Sequence, residues 1–277
     1  MTDLNDPSNG RARIAAAFAQ AQQAHSAALM PYYTLGYPNR QTSVDVIAAI
    51  APHSDLLELG VPFSDPLADG PTIQHSTQVS LENGTTVAGC LDMVAELRRR
   101  GVDTPVMLMG YYNPILAYGI ANYVRDAAQA GADGFIVPDL PPEEADELAQ
   151  AAAAVGLALI YFLAPTSSPA RIASVAEKAQ GFIYLVSLTG VTGARTAVQT
   201  DLAAFVAHVR QQARVPLAVG FGISTPQQAA QIGRLADGVI VGSALINAVD
   251  RAEVDKPGAA AAFVQELRAG VMGRQRE

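Results

Sequence analysis

The chain has 277 residues, of which 50% are apolar and 16% charged, so its composition excludes disorder and supports one large core or two smaller ones. Its 18 basic and 26 acidic residues give a formal charge of −8, which opposes a phosphate backbone and sets nucleic acid aside as a partner. The single cysteine, Cys90, excludes an internal disulfide and a thiolate metal cluster.

In chain order, the opening MTDLNDPSNGRARIAAAFAQ lacks the basic flank and apolar core of an export signal, and a helix is expected at Arg13–Ala24. The first strand is expected at Ala28–Thr34 and the second at Asp55–Gly60. Thr85 or Thr86 then opens a helix whose stripe of Val87, Cys90, Leu91, Val94 and Leu97 ends before Gly101, which puts Cys90 in the core. Strands at Val106–Tyr111 and Gly134–Asp139 follow, and Pro141-Pro142-Glu143-Glu144 reads as the opening of a helix that Gly156 ends. Three more strands are expected at Ala158–Ala164, Phe182–Ser187 and Pro216–Gly222. Thr225-Pro226 supplies a cap and an N1 proline before the last strand, Gly238–Gly242, and a short helix starts near Ser243. The densest apolar run, Leu157 to Pro165, is far below the roughly 20 residues of a spanning helix, so a soluble cytoplasmic protein is expected.

Eight alternations of apolar strand and amphipathic helix predict a parallel sheet, and eight units suffice to close a (β/α)8 TIM barrel with an extra N-terminal helix. One domain over residues 1–277 is expected, with about 1–10 and 271–277 as flexible ends. A doubly wound open sheet is the alternative.

Barrel active sites lie at the C-terminal ends of the strands. There the second strand reads DLLELGVPFSDPLADGPTIQ, and Glu58, Asp65 and Asp69 are expected to converge on one mouth. Leu57 and Leu59 flank Glu58, so strand alternation turns its side chain to the opposite face, the barrel interior. Two readings stay open: a desolvated general acid–base, or a partly buried glutamate in an ion pair. Asp69 either meets a substrate N–H or caps its own loop, whereas Asp65, before Pro66, reads as a turn builder. Later strand ends carry glycines, in LTGVTGAR (Leu188 to Arg195), GFGIS (Gly220 to Ser224) and VGSAL (Val241 to Leu245). Exposed amides there, with a helix start near Ser243, form a phosphate cradle; the bland alternative is tight turns. Tyr32, Tyr111, Tyr112, Tyr184 and Phe221 each read as core, and together as the walls of a flat apolar pocket. His25, His53, His75 and His208 lack metal-ligand spacing, so no metal is expected, and neither a serine-nucleophile elbow nor an ordered dinucleotide fingerprint is present.

ELGVPFSDPLADGPTIQ closely resembles the signature of the tryptophan synthase α subunit family, and MPYYTLGYP, LMGYYNPILAYG, VPDLPPEE, YLVSLTGVTGAR, GFGIST and VGSAL are similar to its segments in the same order. The resemblance covers about residues 11 to 270. It implies a lyase that cleaves indole-3-glycerol phosphate to indole and glyceraldehyde 3-phosphate without a cofactor of its own. The family's catalytic glutamate falls on Glu58 and its indole-binding aspartate on Asp69. Its phosphate ligands fall on the backbone near Gly193, Gly222, Gly242 and Ser243, its indole pocket on Tyr32, Tyr184 and Phe221, and its mobile loop on the segment with Thr192. Two positions depart from the pattern: Tyr32 stands where phenylalanine is expected, and Leu188 where some relatives carry arginine.

The resemblance also implies a pyridoxal-phosphate β subunit as partner, in an α2β2 heterotetramer, docked on the matching segment Val61–Pro66 and the neighbouring Tyr111–Ala117 loop. Three rivals remain: another phosphate-binding barrel enzyme such as a sugar-phosphate isomerase, a free-standing lyase of the same family, and a non-catalytic binding protein on an inherited barrel.

Overall fold

Short runs rich in valine, isoleucine, leucine and tyrosine form eight strands, each pairing in parallel with its neighbour in the chain, and the last closes on the first. The computed structural model describes residues 9–186, 195–220 and 222–272, with the backbone alone for 195–201. Leu188, Thr192, Gly193 and Phe221, and residues 1–8 and 273–277 of the two expected flexible ends, lie outside the described residues.

Helix α1 (Gly10–Gln23) precedes β1 (Ala28–Thr34), α2 (Arg40–Ile50) and β2 (Leu57–Gly60). Two helices, α3 (Pro71–Glu82) and α4 (Val87–Arg99), lead to β3 (Val106–Met109), and two more, α5 (Tyr112–Tyr118) and α6 (Ile120–Ala130), lead to β4 (Gly134–Ile136). Next come α7 (Asp146–Ala154), β5 (Ala158–Leu163), α8 (Pro169–Lys178), β6 (Ile183–Val186), α9 (Arg195–Arg210) and β7 (Leu217–Gly220). The chain ends with α10 (Pro226–Leu235), β8 (Gly238–Val241), α11 (Ser243–Arg251) and α12 (Lys256–Val271). Closure sets Ala28 opposite Gly238 and Pro31 opposite Val241. Nearly every strand residue is buried because side chains fill the barrel inside and helices cover it outside. Among the described residues no helix is long and apolar enough to cross a membrane.

The expected helix signals act as read in two places. The Thr86 hydroxyl accepts the Gly89 amide at 3.1 Å, and Cys90 is fully buried on the inner face of α4. Thr225 accepts the Gln228 amide at 3.2 Å to cap α10. The Pro141–Glu144 stretch differs from expectation. Glu144 N–H returns to the Pro141 carbonyl at 3.0 Å and closes a turn, so α7 begins only at Asp146. A proline disfavours helical backbone in the residue before it, so Pro142 keeps Pro141 from starting a helix. Helices α3 and α5 were not foreseen; they lie in what reads as loop after β2 and β3.

Helix α1 closes the N-terminal mouth of the barrel. Asn9 caps it by accepting the Arg11 amide at 3.0 Å, Ile14 and Phe18 are buried, and the Phe18 ring lies 5.6 Å from that of Phe182 at the foot of β6. Beside it, Asp133 at the foot of β4 receives Arg13 at 2.9 Å, Arg98 at 2.7 Å and the Val106 amide at 2.7 Å. Arg98 also donates to the carbonyls of Gly131, Val102 and Thr104, so one guanidinium ties together the turns leading into β3 and β4.

Candidate active site

The opposite, C-terminal mouth holds a cavity of about 320 Å³. Its floor begins with Glu58. Leu57 and Leu59 are fully buried on the helix side of β2, and alternation turns the Glu58 carboxyl inward, where it is 1% exposed and lines the cavity. Among the described residues its Oε2 has no hydrogen-bond partner. Burial, with the Asp69 charge adding to it, pushes the Glu58 carboxyl up to about 8. An ion-paired glutamate would show the reverse, so the acid–base alternative is the one these contacts favour.

Two residues further along the same face, Gly60 has no side chain, and the Tyr32 phenol fills the space; a Cβ there would fall inside the phenol. Across the barrel Gly220 makes the same room for Tyr184. The two rings line the cavity, and burial holds both hydroxyls protonated far above neutrality. The Tyr32 hydroxyl lies 3.2 Å from that of Thr34, which is 2.7 Å from that of Ser76 in α3, so a buried chain of hydroxyls fixes the ring.

Asp69 sits just before Gly70 and Pro71, which start α3. Its backbone amide returns to Pro66 at 3.1 Å and its carbonyl accepts the Gln74 side chain at 2.8 Å. Its carboxylate remains for other work: it lines the cavity and accepts the Tyr111 hydroxyl at 3.1 Å. Burial raises this carboxyl to about 6, opposed by the Tyr111 hydrogen bond. Tyr111, expected as core or as a pocket wall, acts instead on the Asp69 loop. Its hydroxyl also accepts the Ala68 amide at 2.9 Å and its ring stacks 5.4 Å from Phe63, so one side chain from the end of β3 holds the loop that carries Asp69.

The expected convergence of three carboxylates is corrected. Asp65 is exposed, accepts the Ser64 hydroxyl at 2.6 Å, and does not line the cavity. The Ser-Asp-Pro turn projects it outward, consistent with turn building.

The far wall brings together Gly222, Gly242 and Ser243. Gly222 has φ +73°, a left-handed conformation that favours glycine. Gly242 is the N-cap of α11 and offers no side chain to it, while Ser243 and Ala244 at the helix start line the cavity. A helix start without a cap presents amides and a positive dipole end to an anion. Ile73, Asn247, Arg251 and Phe263 also line the cavity and were not singled out from sequence; they come from α3, α11 and α12, where nothing local marks them.

The arrangement is therefore a pocket with a proton-carrying carboxyl on its floor, an ionised carboxylate at one side, tyrosine rings lining it and an uncapped helix start among its walls. The family model described as tryptophan synthase alpha chain matches residues 18–272. A tryptophan synthase alpha chain of Chloroflexus aurantiacus is 53% identical over 261 residues, covering 94% of this chain and 98% of its own. The crystal structure of tryptophan synthase subunit alpha from Legionella pneumophila aligns with a TM-score of 0.87 at 38% identity, covering 94% of this chain and 98% of its own. A chain of tryptophan synthase from M. tuberculosis in its aminoacrylate-bound form aligns with a TM-score of 0.85 at 36% identity, covering 94% and 99%.

Proposed function

Because the chain belongs to the tryptophan synthase alpha chain family, we propose that Glu58 and Asp69 carry out the family's reaction here. That reaction, which this chain catalyses, is the cleavage of indole-3-glycerol phosphate to indole and glyceraldehyde 3-phosphate, the indole going to a β subunit for tryptophan synthesis.

The bond to be broken joins C3 of the indole ring to the first carbon of the glycerol chain. Protonation of C3 places positive charge on the ring nitrogen. The hydroxyl on that first chain carbon then loses its proton and becomes the aldehyde oxygen, while the electron pair of the breaking bond returns to the ring and restores indole. Glu58, protonated near neutral pH, is suited to deliver the first proton and, as carboxylate, to take the second, ending as it began. Asp69, ionised at the same pH, accepts the indole N–H and stabilises its developing charge. The separation of the two carboxyls' proton affinities is what divides their roles. Tyr32 and Tyr184 flank the ring. The phosphate rests on the amides near Gly222, Gly242 and Ser243 and fixes the chain in register. Proton transfers balance the reaction with side chains only, which supports a subunit that needs no cofactor, with pyridoxal phosphate confined to the β subunit. The observation that carries the assignment is the buried, unpaired Glu58 carboxyl facing a cavity that Asp69 shares.

The partner is a β subunit, in an α2β2 assembly located in the cytoplasm. The segments expected to meet it are buried in part and exposed in part, with Ser64, Asp65, Asn113, Leu116 and Ala117 facing outward. Val61 and Pro62 are buried within the chain, as are Tyr111 and Ile115, and residues Tyr112–Tyr118 form helix α5, which turns its apolar side inward. Leu67, 94% exposed beside Asp69, and Leu116 on α5 are large apolar side chains that face outward here. Contact there would order the loop that carries Asp69. The test is indole release by the purified chain with and without its cognate β subunit. Release that rises with the β subunit, and a stimulation lost in Leu67→Asp, support the reading. Release that the β subunit leaves unchanged, with no complex on size exclusion, favours the free-standing lyase, and no release in either case refutes the assignment.

A further inference from the structure

Among the described residues that line the cavity, three have carboxyl or guanidinium groups: Glu58, Asp69 and Arg251. The substrate of the proposed reaction is a phosphate dianion, and it approaches a chain of net charge −8 whose pocket already holds an ionised Asp69. Long-range electrostatics therefore work against its entry unless a local cation offsets them. Arg251 is the one candidate in that lining. It is exposed and has no carboxylate partner among the described residues. Its neighbour Asp250 is engaged elsewhere, accepting the Tyr37 hydroxyl at 2.6 Å.

Its place on α11 supplies the geometry. Ser243, Asn247 and Arg251 are spaced four apart and all line the cavity, so they form one row along a single helix face. Helical side chains lean toward the N-terminus, so Arg251 lies back along this row toward Asn247 and the amides at the helix start. Its Cα stands about 12 Å along the axis from that of Ser243, which places it at the rim of the phosphate site and not among the groups that hold the bound ester.

We propose that Arg251 is the cationic rim of the phosphate site, the residue that draws the substrate's phosphate into the cavity and passes it along Asn247 to the amides of α11. This deepens the functional reading above and rests on it. Because the guanidinium is exposed, its effect belongs in substrate capture and affinity more than in the chemical step.

The experiment compares Arg251→Gln with Arg234→Gln, which removes the same charge from an exposed position outside the cavity lining. Steady-state cleavage gives KM and kcat at low and high salt, and calorimetry gives the affinities of inorganic phosphate and of indole. For Arg251→Gln the KM for indole-3-glycerol phosphate and the Kd of inorganic phosphate are expected to rise about two- to fivefold, the scale of one exposed charge pair. The change in KM should exceed that in kcat and shrink as salt rises, indole affinity should stay the same, and Arg251→Lys should restore most of the loss. Unchanged KM and phosphate affinity would overturn the proposal. So would an equal shift in Arg234→Gln, which would mean overall charge, or an equal loss of indole affinity, which would mean altered packing. Phosphate binding is measured without turnover, so a chain that binds phosphate through Arg251 yet releases no indole would count against the lyase reading and not against this one.

Discussion

Asp133, at the foot of β4, and Glu58, within β2, are buried to nearly the same degree, 2% and 1% exposed, yet their surroundings are opposite. Asp133 receives two guanidiniums and a backbone amide, which counter the effect of its burial. Glu58 is left with an unpartnered oxygen and a second carboxylate across the cavity. The first lies at the N-terminal end of the barrel, where charges tie turns together; the second lies near the C-terminal end, where a proton is left available. Partner satisfaction, more than burial, separates the carboxyl that holds the fold from the one suited to move protons.

The sharpest break of this comparison is Glu58→Gln. The amide keeps the size but cannot shuttle protons, so kcat should fall at least about 10²- to 10⁴-fold with substrate binding retained. A variant keeping more than a tenth of the rate at saturating substrate would remove Glu58 from the mechanism. Asp133→Asn should do the converse. Removing one member of a buried ion network leaves uncompensated guanidinium charge, so stability should drop by about 3–5 kcal/mol in denaturant titration while the folded fraction keeps its kcat. A variant as stable as the parent would show the network to be ornamental.

Protonation of Glu58 couples its burial to stability. Folded Glu58 holds its proton up to about pH 8, whereas in the unfolded chain it is released near the ordinary glutamate value. Its contribution to stability is therefore complete below the unfolded value and declines as pH rises toward 8. Glu58→Gln should match the parent in stability near pH 4 and exceed it by a growing margin, on the order of a few kcal/mol, by pH 8. Thermal unfolding across that range checks it, and a constant difference would mean that Glu58 is solvated or paired. The smallest effect is expected for Tyr111→Phe. Loss of its hydrogen bonds to Asp69 and Ala68 should lower kcat/KM by up to about tenfold, the scale of one net hydrogen bond, and shift the acidic limb of the rate profile upward. An unmoved pH profile would return Tyr111 to simple packing.

Much of this was legible because the signals are local. Strand runs, the Thr86 and Thr225 caps and the alternation that turns Glu58 inward all act within a few residues. The bond from Tyr111 to Asp69 spans 42 residues and the Arg98–Asp133 pair 35, and such contacts arise only when the barrel closes. Arg251 was invisible for a related reason: a helix-end arginine reads as a solvated charge or a dipole partner until a cavity is found beside it. The segment at Pro141–Glu144 was misread because two successive prolines serve a turn as well as a helix start.

The notches at Gly60 and Gly220 tie the ancestry of this pocket to the order in which mutations arrive. A methyl group at either glycine forces the facing tyrosine ring from its seat, and the cavity is where the ring has room to go. Filling the notch first therefore passes through a blocked intermediate. Trimming the tyrosine first leaves only a larger pocket, into which a bulkier residue at the glycine then fits. Positions 32 and 60, and likewise 184 and 220, are thus free to drift as pairs along one path and barred along the other, so a library that varies them singly will miss the working combinations.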